Sequence, residues 1–164
     1  MPLSNITQPD ILAIDSGLRL RKYDGKFSFA LPWYQDAETL LLVDGKTDPY
    51  DLDRLERMYS YLDARGELYF IEFLQSGVFR PVGDVTLCRN DLPIVVGEAS
   101  LRRCGIGRRV LIALIGRARR LGFPALYVDE IYAFNTGSAR LFTACGFSAY
   151  ESTEKGARYV LPLS

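Results

Sequence analysis

A glycine- and arginine-rich stretch is the part of this 164-residue sequence whose residue types and spacing could support chemistry. In the segment LRRCGIGRRVL, residues 101–111, two glycines stand among four arginines, and an apolar, helix-patterned run follows. Gly105 and Gly107 can take positive φ, and the first amides of a helix have no partner within it. Together with the helix dipole and the arginines, these amides form an anion site that suits phosphate best. The alternative is an ordinary solvated basic helix start.

Two common phosphate-binding motifs do not fit this stretch. A dinucleotide-binding Gly-x-Gly-x-x-Gly pattern fails because Val110 stands where the third glycine belongs. The segment DGKT, residues 44–47, has only the tail of a Walker loop, with Leu40 at the position of the first glycine. The sequence therefore predicts a phosphate-bearing ligand, but neither of these nucleotide-binding folds.

The absence of histidine narrows the chemistry further. Ser-His-Asp and Cys-His catalysis are excluded, as are zinc sites that need histidine, and no metal site is predicted. Proton transfer must use carboxylates, tyrosines, lysines, cysteines or water. With 20 basic and 20 acidic residues the net charge is zero, which argues against nucleic acid as a partner. A nucleic-acid-binding module built on the arginine-rich helix is therefore a hypothesis that we rank low.

Composition and cysteine usage predict the setting of the protein. Three cysteines without metal-type spacing are typical of a reducing, cytoplasmic environment. No apolar run reaches the roughly 20 residues of a membrane helix, and the N-terminus lacks the features of a signal peptide. We therefore expect a cytoplasmic protein without a membrane partner.

The elements that must position the anion site follow from periodicity. Seven strands are predicted, the first being LRLRKY at residues 18–23, and no linker divides residues 1–164, which we interpret as one domain. Helices are predicted within residues 27–45, from Asp51 to Gly66, after Gly107 and from Asn135. The strand–helix–strand unit around residues 92–134 implies a parallel pair joined by a right-handed crossover, within an otherwise antiparallel α/β (α+β) fold.

Two motifs resemble signatures of the GNAT superfamily of N-acetyltransferases. Arg102-x-x-Gly105-x-Gly107 after an apolar strand resembles the acyl-CoA pyrophosphate loop of that family. Downstream, NTGSARLFTACGF at residues 135–147 resembles the second signature at the family's usual spacing. The resemblance covers roughly residues 66–147 and implies a mixed, mostly antiparallel sheet of about seven strands. In that fold the central parallel pair is splayed to hold acyl-CoA.

The resemblance also implies roles for individual residues. It assigns cofactor binding to Ile94, Val95, Val96, Arg102, Arg103, Cys104, Gly105, Ile106, Gly107, Arg108, Asn135 and Ser138. By the resemblance the general base would be Glu130, five residues before Asn135; the alternative for Glu130 is a structural or substrate-orienting role. Glu98, just past a predicted strand, is the second candidate for the base, and Asp84 is the third, with a turn or cleft-wall role as its alternative. Phe142 stands where many members have a tyrosine that protonates the leaving thiolate, so water, Tyr132 or Tyr150 would have to serve.

The implied function is acetyl-CoA-dependent N-acetyl transfer to a primary amine of a small molecule, peptide or protein, by direct attack in a ternary complex. The alternative is a non-catalytic acyl-CoA-binding or regulatory member, which Phe142 favours. Acidic and aromatic residues could form the acceptor pocket and would favour a cationic amine: Trp33, Tyr34, Asp36, Glu38, Glu72 and Asp84. Edge strands and the C-terminal hairpin are compatible with a homodimer.

Overall fold

The computed structural model describes residues 6–163 and contains eight strands within them. The strands are β1 (Ile11–Asp15), β2 (Leu18–Lys22), β3 (Gly66–Gln75), β4 (Val78–Cys88), β5 (Ile94–Val96), β6 (Ala125–Tyr132), β7 (Ser148–Ser152) and β8 (Gly156–Pro162). The helices are α1 (Ala37–Asp44), α2 (Leu52–Arg65), α3 (Ile106–Arg120) and α4 (Thr136–Ala144), with 3-10 helices at Ser28–Gln35 and Ala99–Leu101. The predicted order of elements is confirmed, with one strand more than expected.

The additional strand is β1, which pairs antiparallel with β2 at the edge of the sheet. Ile11, Ala13 and Asp15 are exposed, and Leu12 and Ile14 are only half-buried. An edge strand with one partly covered face leaves a weak alternation of apolar and polar residues, so periodicity did not reveal it.

The strands form two sheets, in the orders β1-β2-β3-β4-β5 and β6-β8-β7. Within residues 6–163 every ladder is antiparallel, so the sheets are mostly antiparallel as predicted. The expected central pair, β5 and β6, shares no ladder in this part of the chain and stands on the two sides of a cleft. The splaying of these two strands creates the space for a ligand.

Two hydrophobic clusters fix the strands that border the cleft. Successive residues of β3 alternate between them: Tyr69 and Ile71 belong to one cluster, and Leu68 and Phe70 to the other. The first cluster contains the apolar stripe of α3, which was predicted from its spacing. The second packs aromatic residues beneath α2. Because β3 is buried on both faces, it fixes the position of β4 and, through β4, of β5.

None of the helices between residues 6 and 163 has the length and apolar character needed to cross a membrane.

Candidate active site

The loop before α3 presents a row of free backbone amides. Asp36, Asp51 and Asn135 cap α1, α2 and α4 with side-chain oxygens, whereas α3 starts at Gly105 without a side-chain cap. Across the described residues, the amides of residues 103–108 find no hydrogen-bond acceptor. Arg103 and Gly105 both have positive φ (63° and 80°). Successive free amides in a turn that includes left-handed residues are typical of anion-binding loops.

The two glycines of the loop serve different needs. Gly105 takes the left-handed conformation that the turn requires. Gly107 is helical rather than left-handed, and a Cβ built there would lie 3.0 Å from Cδ2 of Leu141 on α4. Its missing side chain therefore allows α3 and α4 to approach closely beside the cleft.

The other predicted loop residues divide by exposure. Arg103, Cys104 and Arg108 are exposed, whereas the side chain of Ile106 is buried in the core. Arg109 is held by Asp15 at 2.7 Å. Arg103 and Arg108 are therefore the arginines of this loop that are most accessible to an approaching anion.

The register of β5 turns part of its backbone towards the cleft. The Gly97 amide donates to a β4 carbonyl (2.8 Å), and the Pro93 carbonyl accepts from a β4 amide (3.0 Å). Bonded and non-bonded positions alternate along an antiparallel ladder, so Val95 also faces β4 while Ile94 and Val96 face away from it. The N–H and C=O groups of Ile94 and the N–H of Val96 therefore point towards β6, whereas the Val96 carbonyl accepts from Nε of Arg102 at 3.1 Å.

The cleft itself has a volume of about 400 Å³. Residues 94–96 line one side and residues 128–132 the other, with α1 and α4 completing the walls. Asp91 also lines the cleft, and its Oδ1 accepts from the amides of Leu92 (2.9 Å) and Asp129 (3.0 Å). Burial raises the pKa of the Asp91 carboxyl.

The second motif lies at the start of α4 and also faces the cleft. Oδ1 of Asn135 accepts from the Ser138 amide (3.1 Å), and both residues line the cavity with Leu141 and Phe142. Phe142 is 2% exposed and packs edge-on against Phe147, with ring centroids 5.1 Å apart. The position where a tyrosine hydroxyl was expected is thus occupied by an apolar ring on the cleft wall.

The two candidate bases occupy different places. Glu130 is an exposed residue of β6 that lines the cleft, and its Oε2 accepts from the hydroxyl of Thr153. Glu98 follows β5, accepts from the indole Nε1 of Trp33 at 3.1 Å, and is not part of the cleft lining within the described residues. The fold thus brings Glu130 to the cleft but not Glu98.

Of the two alternative tyrosines, only Tyr132 reaches the cleft. Its ring lies in the cavity wall, stacks on Phe134 and packs against Gly45. Burial, with the nearby charges of Glu130 and Asp44, raises the pKa of the Tyr132 hydroxyl. Tyr150 is half-exposed on β7 and does not belong to the wall of this cavity.

Most of the residues expected in the acceptor pocket are occupied elsewhere. Trp33 and Tyr34 are buried, and Glu72 is paired with two arginines of β2 at 2.8 Å each. Asp84 is 1% exposed, and its Oδ2 accepts from the hydroxyls of Tyr34 (2.7 Å) and Tyr59 (2.8 Å). Burial raises the pKa of Asp84 to about 6, against the lowering effect of these two hydrogen bonds.

The cleft also contains residues that sequence reasoning missed. Thr39, Leu42 and Val43 of α1 form a wall, and Asp91, bonded to the Asp129 amide, also lines the cavity. Their types are ordinary for a helix and a turn. The place of Asp91 in the cleft is visible only from its hydrogen bond with the Asp129 amide, 38 residues away, and no local sequence pattern predicts that contact.

The sequence of this chain matches the model of a known protein family. Residues 33–147, more than half of the chain, match the sequence model of the acetyltransferase (GNAT) family. No curated protein matches the sequence.

Solved structures share the fold at low identity. A domain from Methanocaldococcus jannaschii DSM 2661 is 22% identical, with a TM-score of 0.78 over 91% of this chain and 100% of that one. Spermidine N-acetyltransferase from Vibrio cholerae, in complex with CoA and spermine, is 18% identical, with a TM-score of 0.73 over 91% and 97%. An aminoglycoside acetyltransferase in complex with coenzyme A is 14% identical, with a TM-score of 0.71 over 88% and 94%.

Proposed function

Because this chain belongs to the GNAT family of acetyltransferases, we propose that it transfers an acetyl group from acetyl-CoA to a primary amine. The acceptor is a small molecule or a peptide or protein amine, and it attacks directly in a ternary complex. Similar structures support the acceptor class, since one is a spermidine N-acetyltransferase and another an aminoglycoside acetyltransferase.

The main support for the proposal is that backbone groups of the cleft and of the loop match the hydrogen-bonding groups of acetyl-CoA. Pantetheine contains two amides, which can pair with the N–H and C=O groups of Ile94 and with the N–H of Val96 as an added strand does. The pyrophosphate then meets the free amides of residues 103–108, with Arg103 and Arg108 close by. An anion site beside the cleft, where Gly107 joins the lining, and an open strand edge inside it suit one elongated ligand.

The transfer joins the amine nitrogen to the thioester carbon and releases CoA as a thiolate. Glu130 takes the proton that the amine loses, directly or through water, because it is the candidate base that lines the cleft. A backbone N–H at or next to Val96 polarises the thioester oxygen by donating a hydrogen bond to it. The thiolate, with a pKa near 8.5, is a tolerable leaving group, and Tyr132 is the cleft-lining hydroxyl that can protonate it.

Thermal melting with acetyl-CoA, CoA, NAD and buffer alone tests donor binding. A ligand at about 100 times its dissociation constant adds roughly 2.7 kcal/mol of stability, so acetyl-CoA and CoA should raise the melting temperature and NAD should not. No shift at millimolar acetyl-CoA would refute the assignment of the loop. A panel of amines, with released CoA detected by a thiol reagent, then tests transfer.

The buried Phe142 on the cleft wall favours a second candidate, an acyl-CoA-binding protein without turnover. Both candidates predict stabilisation by CoA. Only the transferase releases CoA faster when an amine is present, so the second assay separates them.

A further inference from the structure

Arg102 is the loop residue whose side chain is fully engaged within the protein. Its Nε donates to the Val96 carbonyl at 3.1 Å, and its Nη2 donates to the hydroxyl of Thr39. Its Nη1 lies 3.8 Å from Oε1 of Glu38, and the side chain is 21% exposed. The guanidinium therefore connects the cleft-facing end of β5 with the first turn of α1.

Thr39 makes this connection rigid at the helix. It is 2% exposed, and both its amide and its hydroxyl donate to Oδ2 of Asp36, the residue that caps α1 (2.9 Å each). The same hydroxyl accepts from Arg102, so its donor and acceptor capacity are both used. The start of α1 is thus tied to the residue that directly precedes the anion loop.

The other end of α1 is tied to the second motif. Nδ2 of Asn135 donates to the Leu42 carbonyl at 3.5 Å, and the ring of Tyr132 covers Gly45 just after the helix. Thr39, Leu42 and Val43 between these points line the cleft. The helix therefore lies along the cleft wall between two residues that belong to the two donor motifs.

We propose that Arg102 is a positioning residue that couples the donor loop to α1, so that binding of CoA to the loop orders the helix that forms one wall of the cleft. This inference rests on the proposed function, because it requires CoA to bind at residues 103–108. A guanidinium reaches Val96 and Thr39 at once through nitrogens held in one plane, which a single ammonium cannot do. Arg102 thus acts through its shape, while its charge adds only to the general attraction of the loop.

Hydrogen exchange of the purified full chain, with and without saturating CoA, tests the coupling. In the wild type, CoA should slow exchange at residues 103–108 and also, by about tenfold, at the amides of α1, within the usual range for coupled sites. Arg102→Lys keeps the charge, so CoA should still protect the loop while protection of α1 is lost. Arg120→Lys is the matched control, because the exposed Arg120 lies at the far end of α3 and has no contact with α1 among residues 6–163, and both regions should stay protected.

A second variant approaches the same contact from the helix. Thr39→Val removes the hydroxyl that accepts from Arg102 and also its bond to Oδ2 of Asp36, so exchange of α1 is compared with and without CoA in the same variant. The slowing by CoA should be lost in Thr39→Val, as in Arg102→Lys, and kept in Thr39→Ser, which retains the hydroxyl. This pair of variants keeps the test decisive where Arg102→Lys does not fold.

Each result has one meaning. Protection of the loop without protection of α1 in the wild type overturns the coupling and leaves the proposed function standing. Protection of α1 in Arg102→Lys equal to the wild type overturns the role of Arg102. No protection of either region by CoA overturns the proposed function and the coupling together.

Discussion

Replacement of Asp84 by asparagine should remove a pH dependence from the stability of this protein. Asp84 is buried on β4 beside Tyr34 and Tyr59, and its pKa rises from the ordinary 3.8 to about 6 on folding. The folded state then binds the proton more tightly than the unfolded state between these values. The stabilisation from protonated Asp84 is complete below about pH 3.8 and is lost as the pH rises through about 6.

The size of the effect follows from the two pKa values. The rise from 3.8 to about 6 corresponds to about 3 kcal/mol, because one pKa unit is worth roughly 1.4 kcal/mol. About 2 kcal/mol of this should appear between pH 4.5 and pH 7.5. Over that range the wild type should lose this much stability relative to Asp84→Asn, which cannot titrate.

Urea unfolding at several pH values measures the difference, and Trp33, the single tryptophan and a buried one, supplies the fluorescence signal. Tyr59→Phe provides a second measurement, because loss of one hydrogen bond that lowers the pKa of Asp84 should move the transition to higher pH. A constant difference between wild type and Asp84→Asn from pH 4.5 to 7.5 would refute the reasoning. A wild type that gains stability relative to the variant would reverse its sign.

Other predictions address the loop, the base and the packing around β5. Arg108→Glu should weaken CoA binding at least about tenfold, measured by calorimetry. Arg120→Glu, an exposed substitution at the far end of α3, should leave the affinity unchanged. Equal affinities of the two variants would remove Arg108 from the site. Glu130→Gln should lower kcat about 100-fold or more with little change in the Kd for CoA, and unaltered turnover would place the base elsewhere. Gly97→Ala should destabilise the fold by about 1–3 kcal/mol in urea unfolding, because its Cβ would lie 2.2 Å from the ring of Trp33; a neutral result would show that the ring moves aside freely.

The elements with strong periodicity could be predicted from the sequence because their physics is local. The apolar stripe of α3 recurs at helical spacing over 15 residues, so its buried face followed directly. β1 was missed since its exposed edge carries little pattern. Gly107 was expected to supply backbone freedom, but it supplies space for Leu141, a residue 34 positions later that no local rule identifies.

The same distinction separates the two sides of the cleft. The donor side consists of backbone groups, whose availability depends on glycine positions and helix starts that are visible within a dozen residues. The wall formed by α1 depends on contacts such as Arg102 with Thr39, 63 residues apart, and Asn135 with Leu42, 93 residues apart. Because those contacts arise only from the fold, a sequence motif can indicate acetyl-CoA while leaving the amine open. We therefore expect acceptor specificity to depend on α1, the helix that residues of both donor motifs contact.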